Sequence, residues 1–276
     1  MAKAEILLRH ISMDQVRNSV GYVDHQYLSA LAPILHPIKK RSYELMELTS
    51  GLSVLDVGCG PGIDTIAMAS LVGPTGTVAG IDYDHEMVAT ANKEAERSKV
   101  SKWVTHRVGD GNKLLWADNT FDAVHAERLF QHLKTPDLVL SEMIRVAKKG
   151  GRIVVADTDY SSVSVDTANW DIEWKLRRIR VDRLNNGYVG RQLFRRFKQQ
   201  RLTGVTVEVF PTVITDYELG RHFTQTHLAE QEALDKGVIT SEEIEVFQHE
   251  LMEASVRGHF FSYGNVIIAR GIKGLA

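Results

Sequence analysis

Val54-Leu55-Asp56-Val57-Gly58-Cys59-Gly60-Pro61-Gly62 is the stretch on which the reading of the fold turns. Residues 53–59 are short, apolar and rich in β-branched side chains, and they stop at glycine, the pattern of a buried strand. A glycine-rich turn follows. Residues 63–72 then carry apolar side chains at helical spacing and end before Gly73-Pro74, a helix stop. Glycines at such a turn let the backbone bend sharply and come close to a ligand.

Working outward, strands are predicted at 76–82, 104–110, 121–127 and 151–157. Helices are predicted at 84–99, with Met87, Val88 and Ala91 on one face, and at 136–147, opened by Pro136 in the first turn. Strand and helix alternate through the first part of the chain, and parallel strands need crossover helices. The fold class is therefore α/β: a doubly wound, mostly parallel sheet with helices on both faces. Ligands of such sheets bind beyond the carboxyl ends of the strands, here just after residues 59, 82, 110, 127 and 157.

The second half reads differently. Helices are expected at 166–186, 190–200, 216–235 and 240–257, the last opened by Thr240 and Glu243 at capping-box spacing, and strands at 204–210 and 260–270. The segment before residue 50 looks helical and broken by Pro33 and Pro37. The chain is read as one domain with five parts: an N-terminal helical cap at 1–50, a core at 51–160, helical lid inserts at 161–203 and 212–258, and closing strands at 204–211 and 259–272. The segment NNGYVGRQLF at 185–194, with two glycines flanking Tyr188, is read as a hinge for that lid.

Composition sets bounds on the function. The chain has 276 residues, 43% hydrophobic and 25% charged, ordinary for a soluble globular protein. It is long enough to bury a core without a disulfide or zinc staple. A single cysteine, Cys59, excludes an intramolecular disulfide framework and any multi-cysteine metal site. No signal-peptide or membrane-spanning pattern occurs, so a soluble, cytoplasmic protein is expected. The net charge of −2 conceals an uneven distribution: from Lys175 to Arg201 there are ten Lys or Arg against one acid, Asp182, a local excess of +9. Such a run is either a solvated helix face or a surface for an anionic partner.

Asp82 ends the second strand twenty residues after Gly62, where an acid accepts hydrogen bonds from two ribose hydroxyls. The dinucleotide fingerprint needs a third glycine where Ile63 stands, and no G-x-x-x-x-G-K-[ST] phosphate loop exists. Asp56 adds a carboxylate that suits a cationic amino-acid group better than a pyrophosphate.

With these residues in view, the sequence resembles the class I, Rossmann-like methyltransferases that use S-adenosylmethionine, in particular the small-molecule branch that includes the ubiquinone and menaquinone methyltransferases. VLDVGCGPG is similar to the first motif of that family and GIDYD, 80–84, to its second. VGDG, 108–111, followed by Asn119-Thr120-Phe121-Asp122, is similar to the third. AERLFQHL, 126–133, and RVAKKGG, 145–151, match the later ones. The resemblance covers roughly residues 50–160 and implies a seven-stranded sheet. It implies that the backbone at Gly58, Gly60 and Gly62 wraps the methionine part of the cofactor and that Asp56 anchors its ammonium. Asp82 would hold the ribose, Tyr83 and Met87 would flank the adenine, and Asp110 with the Gly111 amide would bind its edge. Glu127, at the end of the fourth strand, would face the methionine end. S-adenosylhomocysteine would be the product.

Methyl transfer from a sulfonium is an in-line displacement, so the protein has chiefly to align the acceptor and exclude water. Where the acceptor must lose a proton, His132 is the candidate base, with Tyr22 and His25 of an N-terminal helix folded over the site. Asp157 and Asp159 share one face at the end of the fifth strand, but the resembled branch needs no metal and none is expected. Cys59 reads as a small residue in a tight turn. The expected acceptor is a small, aromatic or apolar molecule under a helical lid, and the chain would form a homo-oligomer. The alternatives are an RNA methyltransferase using residues 175–201 and a cofactor-binding protein without turnover.

Overall fold

The computed structural model describes residues 25–275. Strands β1 (Ser53–Val57), β2 (Thr77–Asp82), β3 (Val104–Val108), β4 (Phe121–Glu127), β5 (Ala147–Val165), β6 (Thr203–Ile214) and β7 (Ser262–Ile272) form one seven-stranded sheet in the order β3-β2-β1-β4-β5-β7-β6. The pairings β1–β2, β1–β4, β2–β3 and β4–β5 are parallel, and β7 runs antiparallel to both β5 and β6. The strand order reverses between β1 and β4, which opens a crevice at their carboxyl ends.

Helices α1 (His25–Met46), α2 (Ile63–Val72), α3 (His85–Arg97), α4 (Pro136–Val146), α5 (Trp170–Asp182), α6 (Val189–Gln199), α7 (Tyr217–Phe223), α8 (Thr226–Asp235) and α9 (Ser241–Val256) complete the described chain. Two apolar cores lie on the two faces of the sheet. One gathers Leu55, Val124, Phe130, Met143, Leu193 and Phe197; the other gathers Leu35, Ile38, Val54, Met68, Val154 and Ile268. Among the described residues, no helix is long and apolar enough to cross a membrane.

Several expectations need correction. The helix before residue 50 is not broken: α1 continues through Pro33 and Pro37. Each interior proline forfeits a backbone hydrogen bond, a cost of roughly 3 kcal/mol. Burial of Leu35, Ile38 and Met46 against the sheet opposes that cost. The fifth strand is longer than 151–157 because β5 pairs with β7 on both sides of an irregularity between Asp159 and Ser164. The expected helix at 216–235 is two helices, separated at Gln225, whose φ is 52°. The capping box is present: Glu243 N–H donates to Thr240 Oγ1 (3.2 Å) and Thr240 N–H donates to the Glu243 carboxylate (2.8 Å).

The helices of the second half have a core of their own. Ile172, Leu176 and Ile179 of α5 pack with Tyr217, Ala233, Phe247 and Leu251 of α7–α9. The basic stretch is largely compensated. Arg178 pairs with Asp182 (2.7 Å), Arg183 with Glu232 (2.7 Å), Arg191 with Asp159 (2.6 Å), Arg196 with Asp137 (2.5 Å) and Lys175 with Glu243 (3.6 Å), while Arg177 pairs with Glu173.

Candidate active site

The glycine turn after β1 is the foundation of the site. Gly58, Gly60 and Gly62 have φ of 74°, 50° and 84°, a region that side chains strain to enter. A Cβ on Gly58 would stand 2.9 Å from Leu129, and one on Gly62 would stand 3.0 Å from Ala91. The turn is tied to β2, because Gly58 N–H and Cys59 N–H both donate to Ile81 O (2.8 and 3.1 Å). Asp82 braces it further: one carboxylate oxygen accepts from Gly60 N–H (2.9 Å) and the other from Asp84 N–H (3.0 Å). Burial raises the Asp82 carboxyl above its usual range against these amide bonds, which lower it.

Above this turn, at the carboxyl ends of β1, β2 and β4, lies a cavity of about 560 Å³. The backbone around Gly58 and Gly60 floors it. Asp82, Tyr83 and Met87 line one side, Asp110, Gly111 and Asn112 another, and Glu127 and His132 the far end. Cys59 also lines it, but burial pushes its thiol well above the ordinary value, so it is not a ready thiolate. Asp110 is engaged locally, accepting from Asn112 N–H (2.8 Å) and the Asn112 side-chain amide (2.9 Å).

The far end holds a buried charge cluster. Lys39 of α1 donates to Asp64 at 2.7 Å and lies 2.8 Å from Glu127, and all three line the cavity. Tyr43 donates to the other Asp64 oxygen. Burial opposes the charge on Lys39, but the two carboxylates outweigh it and hold the ammonium above the ordinary lysine range. The second Glu127 oxygen, Oε2, is buried without a hydrogen-bond partner among the described residues.

Asp56 stands elsewhere. Its side chain is 3% exposed and takes His125 Nδ1 at 2.8 Å, and it is not among the residues that line the cavity. Burial pushes the Asp56 carboxyl up to about 6, with His125 acting in the opposite direction. Burial disfavours charge on His125, yet the Asp56 carboxyl beside it outweighs burial and raises the imidazole above its ordinary value. The pair cross-links β1 to β4 beneath the cavity.

His132 closes the short 3₁₀ turn Phe130–His132 and is turned toward the cavity. Burial and nearby Arg128 bring its imidazole down to about 4. The turn is held from below by Asp157, which accepts from Gln131 N–H at 3.2 Å. From above, the Asn185 amide donates to His132 O (2.6 Å) and the Asn186 amide to Phe130 O (3.3 Å). The asparagines of the expected hinge thus grip the turn that carries His132. Asp157 and Asp159 have separate partners, the Gln131 amide and Arg191, and among the described residues no group of three or more metal-binding side chains occurs.

Among the described residues from 161 onward, only Asn185 lines the cavity. Tyr22 lies outside the described residues, and for His25 only the backbone, at the start of α1, is described. The sequence reading missed Lys39 and Asp64. Asp64 carried a usable signal, an acid in the first turn of the helix that follows the glycines. Lys39 carried none, because its partners are remote in the chain.

A model of the methyltransferase domain matches residues 48–200. The demethylmenaquinone methyltransferase of Lactobacillus johnsonii is 30% identical over 138 residues, 50% of this chain and 57% of that protein. An uncharacterized 37.1 kDa protein of a Streptomyces fradiae transposon is 33% identical over 181 residues, 65% of this chain and 51% of that protein. The chain thus spans about half the length of the curated relatives it matches. Among solved structures, the Bacillus subtilis YcgJ protein superposes with a TM-score of 0.62 at 20% identity, covering 87% of this chain and 99% of that one. A Haemonchus contortus phosphoethanolamine N-methyltransferase, solved with S-adenosyl-L-methionine, superposes with a TM-score of 0.58 at 17% identity, covering 96% and 60%. These two likenesses concern the fold, whereas the domain match extends over more than half of the sequence: the chain belongs to the methyltransferase-domain family.

Proposed function

We propose that this chain catalyses methyl transfer from S-adenosylmethionine to a small acceptor bound beside His132. The observation that carries the reading is the single cavity-lining set formed by the glycine turn, Asp82, Asp110, Glu127 and His132. When bound, the cofactor supplies a methyl carbon already activated by its positive sulfur.

The residues fit such a group. The backbone from Gly58 to Gly62 can approach a ligand where no Cβ intervenes, and Gly58 in particular has no room for one. Asp82 keeps acceptor capacity beyond its two amide bonds, enough for ribose hydroxyls. Asp110 and Gly111 would take the adenine edge, with Tyr83 and Met87 beside the ring. For the amino-acid ammonium, the unpartnered Glu127 Oε2 is a better acceptor than Asp56, whose carboxylate His125 already occupies. Lys39 bridges Asp64 and Glu127, one ammonium against two carboxyl groups, which favours a cationic ligand over a neutral one.

His132 is neutral at physiological pH, so it can accept an acceptor proton without first losing its own. Leu129 and Leu133 line the cavity in the same segment, together with Arg128 and Lys134, and the two leucines offer apolar contact to an apolar or aromatic acceptor. The test is label partition. The protein is incubated with methyl-labelled S-adenosylmethionine and a cell extract, and small molecules are separated from RNA and protein. Label in the small-molecule fraction is expected. Label in RNA would replace this reading with one based on residues 175–201. Cofactor binding with no label in any fraction would point to a binding protein without turnover.

A further inference from the structure

The second cavity in the described chain is small, about 30 Å³, and lies among α5, α7, α9 and the paired ends of β5 and β7. It is separate from the cofactor cleft and shares no lining residue with it. Its distinctive occupant is Arg180, which is 7% exposed. Among the described residues no carboxylate comes within salt-bridge distance of this guanidinium, and Arg180 Nε has no hydrogen-bond partner. Arg221, on the same cavity wall, also has a buried and unpartnered Nε.

The nearby acids are already committed. Glu173 is bound by Arg177, with Arg177 Nε donating at 3.1 Å. Glu230 takes Arg221 at 2.5 Å and the Gln248 amide at 2.8 Å. Thr224 donates its hydroxyl to Gly220 O (2.8 Å), and Ser262 donates to Ser164 O (3.0 Å). Arg177, Arg180 and Arg221 against Glu173 and Glu230 leave one positive charge in excess, and Arg180 and Arg221 line the cavity together with Glu173. Burial outweighs the attraction of Glu173 and Glu230 and brings Arg180 down to about 10.

A buried charge without a partner is strongly disfavoured, and a polar cavity above about 10–15 Å³ accommodates at least a water. We infer that this cavity is a binding site for a small monovalent anion of halide size, held by the guanidinium groups of Arg180 and Arg221 and locking α5 to α7 and α9. The space admits a chloride or a triatomic anion. This inference is independent of the methyl-transfer reading.

Two measurements decide it. The first is thermal unfolding in sodium chloride against sodium gluconate at constant ionic strength. Chloride is expected to raise Tm saturably, by roughly 5–10 °C at a hundred times its dissociation constant. Arg180→Met is expected to abolish the difference between the two salts. Equal Tm in chloride and gluconate, or an undiminished chloride effect in Arg180→Met, overturns the proposal. The second needs no variant. Crystals of the intact chain grown in sodium bromide are expected to show an anomalous peak in this cavity, and a cavity holding only water overturns the proposal.

Discussion

Replacing Lys39 by Met tests the charge cluster at the far end of the cofactor cavity. Methionine keeps the unbranched apolar stem and removes only the ammonium. The side chains of Lys39, Asp64 and Glu127 are 12%, 12% and 6% exposed, so none of the charges is strongly screened by water. Without Lys39, Asp64 retains only the Tyr43 hydroxyl as a partner, and Glu127 retains none that is described. Breaking a buried ion pair by removing one partner costs about 3–5 kcal/mol, because the remaining charge stays desolvated. For a chain of this size that is a fall in Tm of roughly 6–20 °C. The pH dependence supplies an internal control. Lys39 lowers the Asp64 carboxyl below its usual value, so the wild-type contribution is present above pH ~4 and is lost as pH falls through the lower folded value. The gap between the Lys39→Met variant and wild type should therefore be wide at pH 7 and narrow on acidification. Calorimetry adds a second readout. With one more net negative charge in the site, the variant should bind cationic S-adenosylmethionine in preference to its product by a larger ratio than wild type does. A Tm within 1 °C of wild type at pH 7, with an unchanged ratio, would refute the reasoning.

Asp82→Ala should weaken cofactor binding by about 1–3 kcal/mol, and unchanged affinity by calorimetry would remove the ribose assignment. His132→Ala should leave cofactor affinity intact and slow turnover. In the wild-type enzyme the acid limb of turnover should fall near pH 4, where His132 takes up its proton, and a limb near 6.5 would exclude it as the base. The folded pKa of His132 lies below the ordinary 6.5, so its contribution to stability is lost as pH falls between those values, which a series of melts on the two proteins would reveal. Gly58→Ala must place a side chain at φ 74° and 2.9 Å from Leu129, and should cost at least roughly 1–2 kcal/mol by denaturant titration.

The parts of the fold that sequence made legible are those whose signals are local. The strand, glycine turn and helix from Val54 to Val72 can be read from hydrophobic period and turn chemistry, and Asp82 follows from its place at a strand end. The missed parts depend on contacts between distant residues. A helix containing Pro33 and Pro37 looks broken until Leu35, Ile38 and Met46 are seen packed on the sheet. The helices after residue 215 looked like a cover for the cleft, since an amphipathic pattern reports that a face is buried and not what buries it. Their apolar faces instead meet α5 and one another. The same limit applied to Asp56, whose partner His125 is sixty-nine residues away and belongs to another strand.

That pairing bears on how the site is built. A carboxylate at position 56 lies two residues before Gly58, where the turn that floors the cavity begins, and His125 lies two residues before Glu127 at the cavity's far end. An Asp56–His125 link therefore fixes the spacing between the glycine turn on β1 and the acid that ends β4. Lys39 then joins Glu127 to Asp64 on the helix that leaves the same turn. At the cavity wall the salt bridges set the one ammonium of Lys39 against the two carboxyl groups of Asp64 and Glu127, a formal excess of one negative charge. A cationic cofactor neutralises that charge, whereas the thioether product does not. Under the proposed methyl-transfer reading, this arrangement would favour the charged reactant over its spent form.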